Sequence, residues 1–167
     1  MKLPKILLLI FAITCLNEVK AQRLFFLFGH AEYASVTGDL KKFNDNGLGV
    51  EAGVGIGMNK TFFVGTIGST WLRAVDDRPD LFTFSTLRYT PVKVGIRRYI
   101  FRKNLFLKAD AGLANMKYSK ASDGDSKFTY TAGAGFKFTG FEVIGDYTHV
   151  GDYGSWLSVK AGFTIGL

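Results

Sequence analysis

The sequence predicts an all-β chain, an eight-stranded antiparallel up-and-down transmembrane β-barrel behind a short export leader. Three observations predict it. Apolar residues alternate with polar or tiny ones at period two along most of the chain. The connections between these runs alternate between tight and long. The face opposite the apolar one is crowded with glycine instead of charged side chains. Composition agrees: 47% hydrophobic, 15% aromatic and 21% charged residues, with 20 glycines and 3 prolines in 167 residues. That mixture suits a pleated surface and excludes a disordered chain. The length fits one domain.

The leader comes first. Lys2 and Lys5 form a positive start, residues 6–16 an apolar core, and Val19-Lys20-Ala21 a cleavage pattern before Gln22. This is the layout of a secretory signal peptide over 1–21, with the barrel domain over 22–167. The apolar core is about half the roughly 20 residues a spanning helix needs. No later segment supplies a helix of that kind. The one cysteine, Cys15, lies in the leader, so 22–167 holds no disulfide or thiolate metal site. Ala12-Ile13-Thr14 before it lacks the small residue that an acylated lipoprotein cysteine follows. The formal charge of +7 is dispersed, not gathered into a patch, and no nucleic-acid partner is expected.

Strands are expected at 23–36, 47–58, 61–73, 82–101, 104–118, 127–138, 141–149 and 155–167. Asn59-Lys60, Arg102-Lys103 and Thr139-Gly140 make tight turns; 37–46, 74–81, 119–126 and 150–154 are longer and polar. Short turns on one side and longer loops on the other mark an outer-membrane barrel, with both termini at the short-turn end.

The second, sixth and last strands alternate most clearly. Leu48, Val50, Ala52, Val54, Ile56 and Met58 oppose a row of five glycines and Glu51. Phe128, Tyr130, Ala132, Ala134, Phe136 and Phe138 oppose Lys127, Thr129, Thr131, Gly133, Gly135 and Lys137. Leu157, Val159, Ala161, Phe163, Ile165 and Leu167 oppose Ser158, Lys160, Gly162, Thr164 and Gly166. A soluble barrel would turn the apolar face inward, a membrane barrel outward. Glycine weakens a solvent-facing strand but fits a narrow interior, so the apolar face is assigned to lipid. Aromatics support this. Phe62, Phe63, Tyr99, Phe101, Phe106, Phe136, Phe138 and Phe141 flank the tight turns. Tyr33, Trp71, Phe82, Phe84, Tyr118, Phe128, Tyr130, Tyr147 and Trp156 lie near the loops, as two interfacial girdles would.

Two strands fit less simply. The third sets Phe63, Ile67 and Trp71 outward but Val64 and Leu72 inward. The fourth reads as changing phase near Pro91, from outward Leu87 and Tyr89 to outward Val92, Val94 and Ile96. A bulge at the proline is expected there, because proline lacks a ladder donor.

On these residues the chain resembles the small eight-stranded outer-membrane β-barrel proteins of Gram-negative bacteria, the OmpA-transmembrane and OmpX-like porin-type group. The resemblance covers the whole of 22–167. It is carried by the glycine-rich alternating strands, by Tyr89-Thr90-Pro91-Val92-Lys93-Val94-Gly95 and by Ala161-Gly162-Phe163-Thr164-Ile165-Gly166-Leu167. It implies a last strand read by the barrel-assembly machinery, although such strands end on an aromatic residue and this one ends on Leu167. Members of the group include structural proteins, adhesins, channels and lipid-modifying enzymes, so the resemblance implies an architecture and not an activity.

By parity the interior receives Glu32, Glu51, Arg88, Lys93, Arg97, Lys108, Asp110, Lys127, Lys137, Glu142, Asp146 and Lys160. Mixed signs in a narrow lumen predict a salt-bridged plug, with Lys137 opposite Glu142 across the Thr139-Gly140 turn. A narrow gated channel is the competing reading. His149 with Ser155 and Asp152 near the outer rim has the residue types of an acyl-transfer site, but the sequence lacks a His-x-Ser pattern, and a rim histidine is the simpler expectation. His30 is expected to be an interior hydrogen-bonded side chain. Asp39, Asp45, Asp76, Asp77, Asp80, Asp123, Asp125 and Asp152 make the loops acidic, a setting in which divalent cations could bridge to lipopolysaccharide phosphates. No zinc spacing and no phosphate-binding loop occurs, so no cofactor and no enzyme activity are expected. The expectation is a monomeric outer-membrane barrel with a structural or surface-interaction role, in contact with outer-membrane lipid and lipopolysaccharide. The alternatives are a small-solute channel, a lipid-modifying enzyme and a soluble lipocalin-like carrier.

Overall fold

A strand with one apolar and one polar face leaves its backbone edges unpaired until a neighbour covers them. Eight such strands satisfy every edge by closing on themselves. The computed structural model describes residues 25–75, 86–101, 104–119 and 123–166. The leader with Cys15, the Arg102-Lys103 turn, Asp76, Asp77, Asp80, Phe82, Phe84, the side chain of Phe101 and Leu167 lie outside the described residues.

The strands are β1 (Phe25–Thr37), β2 (Asn44–Met58), β3 (Thr61–Ala74), β4 (Leu87–Phe101), β5 (Leu105–Tyr118), β6 (Asp125–Phe138), β7 (Phe141–Val150) and β8 (Gly154–Gly166). Each pairs antiparallel with the next, and β8 returns to β1 from Phe26–Gly166 to Thr37–Ser155, so the sheet is a closed up-and-down barrel. Every strand reaches the roughly 9–11 residues a membrane strand needs. Two of the expected tight turns are described. Asn59 (φ 59°) and the pair Thr139 (φ 48°) and Gly140 (φ 97°) take the left-handed backbone that two-residue hairpins demand. The first long connection holds a feature the sequence did not announce, a 3-10 helix over Gly38–Lys42. It is followed by a register shift between Asn44 and Gly47 where β2 joins β3.

The face assignment follows parity almost throughout. Leu48, Val50, Val54 and Ile56 on β2, Phe63, Ile67 and Trp71 on β3, and Leu157, Val159, Phe163 and Ile165 on β8 point out, while Val64 and Leu72 point in. β4 is the correction. Its register against β5 runs without slip from Leu87–Tyr118 to Tyr99–Phe106, so there is no phase change at Pro91. Leu87 and Tyr89 are buried inside, and Arg88 is exposed on the outer face. The proline is absorbed by the ladder to β3, which shows no pairs between Ile67–Val92 and Thr70–Tyr89.

The aromatic girdles are correspondingly thinner. Phe63, Phe136, Phe138 and Phe141 at the turn end, and Tyr33, Trp71, Phe128, Tyr130 and Tyr147 at the loop end, are exposed on the outside. Phe62, Tyr99, Phe106 and Trp156 are buried instead. They belong to two apolar clusters inside the barrel. The turn-end cluster is Phe26, Phe28, Phe62, Val64, Tyr99, Phe106 and Ile144. Its rings need glycine beneath them: a Cβ on Gly55 would lie 2.2 Å from the Phe26 ring, and one on Gly135 2.3 Å from that of Phe106. The loop-end cluster joins Val36, Leu72, Leu87, Tyr89, Met116, Val150 and Trp156 to Leu40, which the 3-10 helix folds into the mouth.

Candidate functional site

Between the two apolar clusters lies a layer of buried ionisable groups. Glu32, Glu51, Lys93, Arg97, Lys108, Asp110, Glu142, Asp146 and Lys160 are all at most 7% exposed, as is His30. Period two puts each on the inner face of its strand, and the closed register brings distant strands together across a narrow lumen.

Glu51 on β2 is the hub. Its carboxylate accepts from the Lys160 ammonium at 2.9 Å, from Lys108 at 3.4 Å and from Lys93 at 3.5 Å. Lys160 also faces Asp146 at 3.1 Å, and Lys108 faces Asp110 at 3.0 Å and Asp146 at 3.6 Å. Asp146 further accepts from the Ser158 hydroxyl. Lys93 donates to Thr131 Oγ1 at 3.0 Å. Towards the turn end, Arg97 Nη1 donates to both Glu142 oxygens at 3.0 Å. The Arg97 guanidinium lies over the Phe26, Phe28 and Phe106 rings at 5.0, 4.9 and 4.4 Å, so the turn-end cluster also serves as its π bed.

His30 links the two halves. Its Nε2 is 3.1 Å from Glu142 Oε2, and its Nδ1 is 4.0 Å from Glu51 Oε1. Among the described residues the layer holds five buried carboxylates and four buried Lys and Arg cations. Composition singled out the charged members. The bridging position of His30 depends on three strands meeting, which spacing alone does not reveal.

Three sequence-assigned interior residues lie elsewhere. Arg88 is outside, as above. Lys137 is half-buried at the turn end, opposite Glu142 in register as expected. The hydrogen bonds to the Glu142 carboxylate across the lumen come from Arg97 and His30. Lys127 is half-buried at the loop rim and pairs with Asp125 at 3.1 Å and Asp152 at 3.7 Å. Glu32 on the loop side accepts from Thr70 Oγ1 at 2.9 Å.

The rim histidine does meet its serine. His149 Nδ1 lies 2.8 Å from Ser155 Oγ, and the Tyr147 hydroxyl donates to the same oxygen at 2.7 Å. A relay for acyl transfer also needs an acid on the far ring nitrogen. The candidate acid, Asp152, is almost fully exposed and faces Lys127. Nearby on the loop side, the Lys42 ammonium donates to Asp39 at 2.6 Å and holds that carboxyl below its ordinary value. Among the described residues no cluster of three or more His, Cys, Asp or Glu gathers closely enough to hold a metal.

No protein-family model matches the chain, and no curated protein matches it in sequence. Solved structures do match it in shape. The crystal structure of Neisserial surface protein A aligns with a TM-score of 0.59 and 10% identity, covering 86% of this chain and 97% of that one. Ail, the attachment invasion locus protein of Yersinia pestis, aligns with a TM-score of 0.52 and 17% identity, covering 84% of this chain and 96% of that one. At such identities the likeness is one of fold: the chain is built as a small, closed, eight-stranded antiparallel barrel of the kind found in outer membranes.

Proposed function

We propose that the chain is exported to the outer membrane, where it forms a closed, monomeric barrel with a structural or surface-interaction role and no catalytic function. One observation carries this reading. The outer surface is a continuous apolar band with exposed rings at both ends, while the lumen pairs its charges between two apolar clusters. An apolar exterior of this extent is stable in lipid and not in water. The packed lumen favours a plug over a channel, because each lysine of the hub is held by a carboxylate and both ends are capped by large side chains. The attachment that gives Ail its name is consistent with a surface role for a barrel of this shape. Outer-membrane lipid, lipopolysaccharide and the barrel-assembly machinery are the partners that go with it.

The test uses residues 22–167. In detergent micelles the unboiled chain should migrate differently from the boiled one on a gel and should gain strand circular dichroism only with detergent or lipid. In planar bilayers it should give no large, stable conductance. Folding in plain buffer would overturn the lipid assignment. A steady open current would overturn the plug and install the channel.

A further inference from the structure

The lipid face of β3 has a gap in an otherwise filled surface. Gly65 is an outward position, set in register between Val54 on β2 and Val94 on β4, and along its own strand between Phe63 and Ile67. A Cβ there would meet only a Val54 methyl, at 3.9 Å. All four neighbours are exposed and bulky, so the missing side chain leaves a walled trough. Two apolar hollows of about 440 and 520 Å³ share Val54, Gly65 and Val94, and together run from Phe63 and Ile96 on the turn side to Ile67 and Val92 near mid-height. Gly29 and Gly145, also outward, are each flanked by an alanine, Ala52 and Ala134, and so lack one wall.

The trough ends at cations. On β4 the exposed Arg98 follows Ile96 on the outer face, opposite Thr61 on β3 and Leu107 on β5. Lys60 precedes Thr61 in the tight turn, and its carbonyl accepts from the Tyr99 amide at 2.7 Å, which brings this exposed lysine beside Arg98. Among the described residues neither side chain has a carboxylate partner.

Strand geometry gives the depth of this end. Arg88, opposite Trp71 of the loop-end girdle, precedes Arg98 by ten residues on the same face. At about 3.4 Å per residue and a tilt of about 40°, the two are roughly 26 Å apart along the membrane normal, close to the roughly 25 Å height of an apolar band. Arg98 therefore stands at the turn-side headgroup level. From there to Val92 the trough covers roughly 15 Å of depth, which is one leaflet of the hydrocarbon core. The counter-charge at that level is lipid phosphate, and a guanidinium fork matches its oxygens in geometry as well as charge. A chain hanging from that phosphate runs along the trough. We propose that Lys60, Arg98 and the Gly65 trough form a site for one anionic glycerophospholipid of the turn-side leaflet. Arg98 and Lys60 hold its phosphate, and one acyl chain fills the space above Gly65. This rests on the membrane reading above and adds to it a leaflet, a side of the barrel and a headgroup chemistry.

The test refolds residues 22–167 in micelles of an uncharged detergent and titrates them with dipalmitoyl phosphatidylglycerol, or with dipalmitoylglycerol, which has the same chains and no phosphate. Native mass spectrometry reads the lipid retained, and gel mobility of the unboiled samples reports that the barrel is formed. Wild type should retain one phosphatidylglycerol, at least about tenfold better than Lys60→Gln/Arg98→Gln, as expected when two charge-assisted contacts are lost. Gly65→Leu, whose side chain fills the trough from the lipid side, should lose retention to a similar degree. Gly145→Leu, on the lipid face of β7, should retain the lipid as the wild type does. Equal retention by the wild type and the cation variant, with both barrels formed, overturns the site and leaves the membrane reading standing. Wild-type retention by Gly65→Leu, or equal loss in Gly145→Leu, overturns the trough. Retention of dipalmitoylglycerol as strong as that of phosphatidylglycerol overturns the phosphate contact. A chain that forms its barrel without any lipid or detergent overturns the membrane reading itself.

Discussion

Replacing Glu51 by glutamine tests whether the lumen is closed. The change keeps shape and removes one charge from a hub that faces three lysines. Lys160 and Lys108 keep other acids, Asp146 at 3.1 and 3.6 Å and Asp110 at 3.0 Å. Lys93, whose ion pair is with Glu51, keeps the Thr131 hydroxyl at 3.0 Å. The variant therefore leaves one buried ammonium without its carboxylate. Removing one partner of a buried ion pair costs about 3–5 kcal/mol. The amide of glutamine still offers one acceptor, so a loss near 3 kcal/mol is expected. Adding Lys93→Met removes the stranded cation and replaces the pair by apolar volume, which is close to neutral in buried sites. The double variant should thus recover roughly 2 kcal/mol relative to the single one, a coupling of the size seen for residues in one network. Urea titration of the refolded chain in micelles, read on tryptophan fluorescence, measures both, with the slope unchanged if the barrel unfolds as one unit. A single-variant loss below about 1 kcal/mol, the range of water-exposed pairs, would mean that solvent screens Lys93, and the closed-lumen reasoning would fail.

Two further substitutions probe the closure and the mouth. A Cβ on Gly162 would lie 1.9 Å from the Gly29 carbonyl oxygen, so Gly162→Val should prevent β8 from pairing with β1 and remove the fast-migrating unboiled band; Gly145→Ala, where the Cβ meets open space, should keep it. Leu40 is 3% exposed under the 3-10 helix, and Leu40→Ala should cost about 2–3 kcal/mol in the same urea titration, at the lower end of core truncations because a surface lid can settle into the gap.

The fold was legible because period two survives wherever the two environments differ. On β2, β6 and β8 one face is aliphatic or aromatic and the other is glycine, threonine or charge, and the assignment held. It failed on β4, where Leu87 and Tyr89 are apolar yet inside. Near its ends this barrel is apolar on both faces, so hydrophobicity no longer distinguishes lipid from lumen there. The same cause placed Phe62, Tyr99, Phe106 and Trp156 in the girdles when they belong to the interior clusters. The usable signal was phase: counting back by twos from Arg97 and Lys93 reaches Leu87 inside and Arg88 outside. The 3-10 helix was hidden because Gly-Asp-Leu-Lys-Lys is too short to show a period. What buries its leucine is the loop-end cluster, a tertiary cause. The Glu51 hub was legible only as a list of members, since Lys160 lies 109 residues away in sequence and reaches it through ring closure.

The charge layer also explains why the register is unique. A one-residue slip of a strand exchanges its faces. If the lumen were uniformly apolar at mid-height, such a slip would cost little with lipid outside. Here a slip of β4 alone would turn Lys93 and Arg97 to the hydrocarbon, at roughly 2–4 kcal/mol for each near the midplane. β1, β2, β5, β7 and β8 each carry at least one fully buried charge with the same effect. β3 and β6 carry none among their buried residues, only threonines in the polar positions. Each of these two is joined by a tight turn to a strand that does: β3 to β2 with Glu51 through Asn59-Lys60, and β6 to β7 with Glu142 and Asp146 through Thr139-Gly140. A two-residue hairpin fixes the register of both its strands. The six charged strands and two tight turns are therefore sufficient to lock all eight. The buried ions, costly as isolated pairs, act here as the record of which face is inside.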